Sequence, residues 1–440
     1  MNAVKIAVIG AGSSYTPELA DGILKRFSTF PVKELALVDI DSGMYKAGII
    51  ASLTERMFKK AGLSVAITCT TDRREALKGC DFVVSQFRVG GLQARSNDER
   101  IPMKYGMVGQ ETTGPGGFAK ALRTIPVILD ICRDIEEICP DAWLINFTNP
   151  SGIITEAVHT YTKVKCIGLC NVPINMTREV CSFLHMEPAR VHCRFAGLNH
   201  LSFIGRIYVD GTDILSHLDL SALTKGSVVK NIPGTEMPAE LLQVMGFIPS
   251  PYLKYYYLEK QMLEEQREKL AKEHKTRADE VMEVERSLFE QYADPALAEK
   301  PAELSKRGGA LYSEAAVSLM DSIWNDRSDI HVVNTVNNGC LPELPDGAVI
   351  ETNCIVNREG ATPLTYGPLP QTIRGLVQQV KAYEQLTIQA AAEGSPQKAL
   401  AALMNNSLVH DAAAAKELLG NLLAANREYL PGFFRGGETA

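Results

Sequence analysis

Over roughly the first 195 residues, short continuous apolar runs alternate with stretches of helical periodicity, and few architectures accept that alternation. Strands are expected at 4–9, 34–39, 65–70, 81–87, 143–147 and 165–169. Most lack the apolar–polar alternation of a half-exposed strand, as expected where helices cover both faces of a parallel sheet. Helices are expected between them at 17–27, 42–60, 73–77, 119–138 and 152–161. Together these predict an α/β fold with a Rossmann-like, doubly wound parallel sheet.

Near residue 191 the pattern changes. Residues 194–209 read as one strand, with Asp210-Gly211 as a hairpin turn. A charge-rich helix is expected over 257–288, strand-like pieces at 331–336 and 348–356, and helical regions at 370–403 and 411–425. There is no internal repeat and no low-complexity linker. The expectation is a first domain over 1–195 and a second, α+β domain over 196–440, packed together without a flexible tether.

Hydrophobic residues make up 45% of the 440 and charged residues 22%, so a large core needs no external staple. The net charge of -7 offers no basic footprint, and nucleic acid is not expected as a partner. It does not exclude an anionic substrate, since a local arginine cluster binds phosphate on an acidic protein. No apolar run approaches the roughly 20 residues of a membrane helix. The N-terminus enters a strand without a basic, apolar leader, and the ten cysteines are scattered. Both point to a cytoplasmic protein with reduced thiols.

The first apolar run leads into Gly10-Ala11-Gly12-Ser13, and Pro17 can open the helix that follows. Glycines let the backbone turn sharply and approach a pyrophosphate, which a helix N-terminus attracts. The third glycine of the usual fingerprint is missing, because position 15 is Tyr. Asp39 ends the second strand, where a carboxylate accepts hydrogen bonds from a ribose 2′-OH and repels a 2′-phosphate. The loop therefore reads as an NAD site formed by Gly10, Gly12, Ser13 and Asp39. An ordinary strand-turn-helix with a helix-capping Asp is the other reading.

Cys170, in Cys170-Asn171-Val172-Pro173, lies past the carboxyl end of a strand, where open α/β sheets place their ligand crevice. His200 follows in Gly197-Leu198-Asn199-His200. Two ligands so far apart are not a structural zinc motif, which takes four at close spacing. On spacing alone the pair reads as a buried thiol and a satisfied core histidine.

Further segments stand in order along the chain: Arg88-Val89-Gly90, Gly109-Gln110-Glu111-Thr112, Gly114-Pro115-Gly116-Gly117, Asn146-Phe147-Thr148-Asn149-Pro150, Pro249-Ser250-Pro251-Tyr252 and Thr276-Arg277-Ala278-Asp279-Glu280. With the loop and the Cys170 and His200 segments, they make the chain resemble the NAD-dependent family 4 glycoside hydrolases over most of its length. More narrowly, it resembles their 6-phospho-β-glucosidase branch.

The resemblance implies roles for single residues. Cys170 and His200 match the ligands of a divalent metal, usually manganese, whose shell the substrate hydroxyls complete. Tyr252 matches the catalytic base. Arg95 and Arg277 match the arginines that clamp the sugar 6-phosphate, and Asn149 a contact to the sugar hydroxyls. Asn171 stands where phospho-α-glucosidases carry Asp, so asparagine there implies the β branch. Each has a plainer reading. Tyr252 lies beside Tyr255, Tyr256 and Tyr257 and reads as aromatic core; Arg277 reads as a solvated helix residue; Arg95 reads as the partner of a nearby carboxylate; Asn149 reads as a turn former.

The implied reaction is an elimination assisted by redox chemistry, not the usual two-carboxylate hydrolysis. NAD+ takes a hydride from C3 of the sugar, and the ketone acidifies the C2 proton. Tyr252 removes that proton while the metal steadies the enolate, the aglycone leaves, water adds to C1, and NADH returns the hydride. Asn171 cannot act as a general acid in this scheme. The implied substrate is a phosphorylated disaccharide or glucoside, such as a cellobiose 6-phosphate, and the implied assembly a homodimer or homotetramer. The first domain would hold NAD, and the second the substrate, the metal and the subunit contacts. Other readings remain: a 6-phospho-α-glucosidase or another glycosidase of the family, a plain NAD-dependent dehydrogenase akin to lactate and malate dehydrogenases, or a non-catalytic nucleotide sensor.

Overall fold

The computed structural model describes residues 3–220, 236–307 and 312–434. Six strands form the expected parallel half: β1 (Val4–Ile9), β2 (Val32–Val38), β3 (Ala66–Thr70), β4 (Phe82–Ser85), β5 (Trp143–Asn146) and β6 (Lys165–Gly168). Their spatial order is β3-β2-β1-β4-β5-β6, with every pair parallel. The continuous apolar runs follow from burial on both sides. Along β1, Val4, Ile6 and Val8 pack into one core, and Ala7 and Ile9 into the other. Strand order reverses between β1 and β4, which opens a crevice at their carboxyl ends.

The later strands are β7 (Val191–Leu198), β8 (Leu201–Val209), β9 (Thr212–Asp213), β10 (Ile248–Pro249), β11 (Asp329–Val336), β12 (Val349–Asn357) and β13 (Gly360–Pro363). The large sheet takes strands from both sides of residue 195. β11, β12 and β13 continue it beyond β6, antiparallel, to nine strands. A smaller sheet has the order β10-β8-β7, with β9 paired to β8. Side chains of β12 join the two sheets along the open edge of β7. The Phe195 N–H donates to Asn353 Oδ1 at 2.7 Å, and the Thr352 hydroxyl donates to the Phe195 carbonyl at 3.0 Å.

The single strand expected over 194–209 is in fact two. β7 and β8 pair antiparallel from Val191 opposite Val209 to Leu198 opposite Leu201. Asn199 and His200 make the turn, with His200 left-handed at φ 63°. A two-residue turn without glycine leaves little trace in an apolar pattern of period two. Asp210-Gly211 does turn the chain, from β8 into β9.

The long helix expected over 257–288 is also divided, into Lys254–Tyr257, Glu259–Glu273 and Arg277–Ala293. His274 ends the second piece in the left-handed region, at φ 57°. Thr276 and Asp279 then form a reciprocal capping box, so Arg277 becomes the first residue of a new helix. The region 370–403 is divided likewise at Gly394, φ 66°. Helices at Gly91–Lys104, Val172–Leu184, Ala239–Met245 and Tyr312–Trp324 were not expected, and Gly114–Ile138 starts five residues ahead of its expected beginning at 119. Gly91–Lys104 lacks an apolar stripe because its inward face is polar: Arg95, Ser96, Asp98 and Glu99 are all buried.

That polar face is held by the ion pair of Asp98 with Arg123, both side chains fully enclosed. Arg123 reaches both Asp98 oxygens, at 2.8 and 2.6 Å, and donates through Nε to the Val89 carbonyl. Asp98→Ala strands a guanidinium in the core. The expected loss is about 3–5 kcal/mol of unfolding free energy, read from urea denaturation. A loss under about 1 kcal/mol would mean that other acceptors satisfy the arginine.

Candidate active site

The crevice begins at the loop after β1. Gly10 has φ +86°, and a Cβ there would stand 2.7 Å from the Phe87 backbone, so glycine is required twice over. A Cβ on Gly12 would stand 2.9 Å from Asp39 Oδ2. The Gly12 N–H donates to that oxygen at 2.6 Å, and the Ile40 N–H donates to Oδ1 at 2.9 Å. Asp39 thus folds back onto the glycine loop, half-buried, with spare lone pairs on its carboxylate. Ser13 lies in the turn that precedes the helix Thr16–Arg26, its N–H donating to the Gly10 carbonyl at 3.1 Å.

Three candidates separated by up to eighty-two positions meet further along. Cys170 follows β6, His200 sits in the β7–β8 turn, and Tyr252 lies in the short turn Pro251–Leu253 after β10. Cys170 Sγ and His200 Nε2 are 3.6 Å apart. The Tyr252 ring stacks on the His200 imidazole, with centroids 3.8 Å apart and planes within 10°. His200 Nδ1 is buried with no protein partner. Burial, followed by the Lys120 ammonium, lowers His200 to about 3, so the imidazole is neutral. Burial, followed by the Glu351 carboxylate, raises the Cys170 thiol to about 12. Burial also holds the Tyr252 phenol well above its ordinary value, with Cys170 adding to the effect and a hydrogen bond to Thr112 opposing it.

A charged group adjoins this cluster. Glu111 accepts from three cations: Arg88, Arg95 at 2.8 Å and Lys120 at 2.9 Å. Its carboxyl is held well below the usual range: burial opposes this, and the charges of Arg88, Arg95 and Lys120 overcome it. Burial and then Arg88 bring Lys120 down to about 7. Arg95 therefore does pair with carboxylates, Glu99 as well as Glu111. Arg277 is not a freely solvated helix residue. It bonds Glu280 at 3.0 Å through Nη1, while its Nε is buried without a partner.

Asn149 and Asn171 lie at the ends of β5 and β6, both half-buried. Asn149 precedes Pro150 through a cis peptide bond. Asn171 is the N-cap of the helix Val172–Leu184, and its side chain makes no capping hydrogen bond. Glu111, Lys120 and Glu351 were missed as site residues. Glu351 is 1% exposed on β12 and accepts from Ser202 Oγ at 2.6 Å and Asn199 Nδ2 at 3.0 Å, which braces the turn that carries His200. A lone carboxylate inside the apolar run 348–356 is the signal that could have found it.

The chain is an α/β protein with a lactate and malate dehydrogenase-like fold, and a Cys–His–Tyr cluster lies at the carboxyl ends of its strands. A lactate dehydrogenase from a Medee basin deep-sea metagenome library shares that architecture at TM-score 0.55 and 15% identity, covering 89% of this chain and 100% of its own. Residues 5–186 match the family 4 glycosyl hydrolases, and 195–409 match the family 4 glycosyl hydrolase C-terminal domain. The chain belongs to that family. It is 49% identical over 440 residues to the probable 6-phospho-beta-glucosidase of Bacillus subtilis strain 168, covering 99% of both chains. It also matches the 6-phospho-beta glucosidase of Thermotoga maritima, solved with manganese, NAD+ and glucose-6-phosphate, at TM-score 0.88 and 39% identity. That match covers 97% of this chain and 99% of the other.

The charge balance around Glu111 makes a prediction of its own. Glu111→Gln leaves Arg88, Arg95 and Lys120 facing one another with less counter-charge, at a cost on the order of 3 kcal/mol in stability. Inorganic phosphate should then raise the Tm of the variant more than that of the unaltered protein, because the freed cations bind it. Equal shifts in differential scanning calorimetry would count against a shared cation cluster.

Proposed function

We propose that this chain is a 6-phospho-β-glucosidase that uses NAD and a divalent cation, manganese for instance, to release glucose 6-phosphate from a phosphorylated disaccharide or glucoside. One observation carries the reading: Tyr252 stacked on His200, with Cys170 Sγ 3.6 Å from the imidazole. Such a grouping has little purpose in a plain dehydrogenase or a nucleotide sensor.

The residues present fit both cofactors. A neutral imidazole and a thiol 3.6 Å apart are donors that can share one ion, given bond lengths of roughly 2.0–2.3 Å. Among the described residues no group of three or more His, Cys, Asp or Glu could hold a metal. Cys170 and His200 would therefore leave most positions on the ion to substrate oxygens. Gly10, Gly12 and Ser13 would cradle the pyrophosphate of NAD, with Asp39 at the ribose. When bound, the nicotinamide supplies a reversible hydride acceptor and the cation a Lewis acid.

The chain's own groups do the rest. Tyr252 Oη is the proposed base for the sugar C2 proton. Its buried phenol stays protonated unless positive charge stands beside it. Arg95 and Arg277 would bind the 6-phosphate, to which Arg277 offers its unpaired Nε. Asn149 would take a sugar hydroxyl. Asn171 has no proton to give, so the departing aglycone oxygen must take its proton from water, and this supports the β branch over the α. We also infer that 1–195 is the NAD-binding domain, lending Arg95, Asn149, Cys170 and Asn171 to the substrate and metal site, that 196–440 carries the rest of that site and the subunit contacts, and that the enzyme works in the cytoplasm as a homodimer or homotetramer. No helix among the described residues is long and apolar enough to cross a membrane.

Hydrolysis of a nitrophenyl β-glucoside 6-phosphate in deuterated water, with NAD+, manganese and a reductant, should place deuterium at C2 of the product. Tyr252→Phe should lower kcat/KM by about 10²–10⁴-fold. Unlabelled product, or net accumulation of NADH, would overturn the reading. Asp39→Ala should loosen the loop and narrow the preference for NAD over NADP. Titration calorimetry with each nucleotide tests this, and an unchanged preference would remove Asp39 from the ribose site.

A further inference from the structure

The two arginines proposed for the phosphate come from different helices, and a single carboxylate touches both supports. Arg95 lies on Gly91–Lys104, and Arg277 opens Arg277–Ala293. Glu99, one helical turn after Arg95, is 3% exposed. Its Oε1 accepts from Arg95 Nε at 2.7 Å. Its Oε2 accepts from the backbone N–H of Ala278, next to Arg277, at 2.9 Å. We propose that Glu99 is a positioning residue for phosphate recognition, setting the distance and the facing edges of Arg95 and Arg277. The proposal rests on the reading of these arginines as the phosphate site.

The way the two guanidinium groups are held supports it. Glu99 takes the Nε of Arg95, and Glu111 takes Nη1 at 2.8 Å, so two carboxylates fix the plane of that guanidinium. Arg277 spends Nη1 on Glu280 and leaves Nε, buried, without an acceptor. Arg277 is thus pinned on one side and keeps an unpaired donor on another. Tyr255, 4% exposed, stands in the same field: burial raises its phenol, Glu99 and Glu111 raise it further, and Arg95 and Arg277 oppose them. Its ring lies 6.2 Å from that of Tyr252, so the arginines and the proposed base share one wall.

Glu99 is not the only tie between the helices. Arg100 Nη2 donates to the His274 carbonyl at 3.0 Å and to Asp279 at 2.7 Å. A variant at Glu99 should therefore keep the helices docked, and Arg100→Ala is the control for docking alone. Glu99 acts on the phosphate only through Arg95 and the first turn of the second helix, never by contact, since its own charge would repel the anion.

The test uses the whole protein, with glucose 6-phosphate and NAD as separate calorimetric ligands and the nitrophenyl β-glucoside 6-phosphate for kinetics. Glu99→Gln should weaken glucose 6-phosphate about tenfold, since it removes a charge-assisted hydrogen bond on Arg95. NAD affinity should stay within about twofold, and KM should rise more than kcat falls. Glu99→Asp keeps the charge but not the reach, and should recover part of the lost affinity. Arg100→Ala should lower Tm with little effect on glucose 6-phosphate. Unchanged glucose 6-phosphate affinity in Glu99→Gln, or an equal loss for NAD, overturns the inference. Arg277→Ala separates the two levels. If it loses the sugar phosphate while Glu99→Gln does not, the phosphate site stands and the positioning role falls. If Arg277→Ala keeps full affinity, both fall. Should Glu99→Gln fail to fold, Glu99→Asp and Arg277→Ala decide by the same readings.

Discussion

The half-buried carboxylate of Glu111, ringed by Arg88, Arg95 and Lys120, is the interaction on which the rest of the candidate site depends. Cations do not crowd together in a largely enclosed pocket without counter-charge; Glu111 supplies it to all three, and Glu99 adds its own on Arg95. Those charges nearly balance, and Lys120, brought down to about 7, can give up its own. Burial, and then the Lys120 ammonium, keeps the neighbouring His200 imidazole neutral.

The site also depends on a sheet built from both halves of the chain. Carboxyl ends of β1, β4, β5 and β6 supply the glycine loop, Arg88, Asn149 and the Cys170 segment. The β7–β8 turn reaches back over those ends, and Glu351 on β12 braces it through Asn199 and Ser202. The imidazole is therefore positioned by a strand about 150 residues further along the chain. Contacts of this kind orient a side chain as much as its own backbone does.

The parallel half of the fold was legible because strands buried on both faces must be apolar throughout, and nothing else in the chain competes with that signal. The hairpin at Asn199–His200 was not, since its turn carries no glycine and its flanks share one apolar character. The helix Gly91–Lys104 escaped for the opposite reason. Its buried face is made of ions that satisfy one another, and a search for apolar periodicity passes over Arg95, Asp98 and Glu99. Among the site residues, Gly10, Gly12 and Asp39 carried a local motif, whereas Cys170, His200, Tyr252, Arg95 and Arg277 were singled out by family resemblance and read blandly by spacing.

The sequence alone determined the doubly wound sheet, the glycine loop and the types of side chain available, because those follow from periodicity and from local backbone needs. Tertiary structure decided which of them meet. It stacked Tyr252 on His200 and brought Cys170 to the same imidazole. It also joined Arg95, through Glu99, to the Ala278 N–H in the first turn of the helix that Arg277 opens. Contacts between residues tens to hundreds of positions apart depend on how strands and helices are docked, and that docking leaves no spacing rule in the chain.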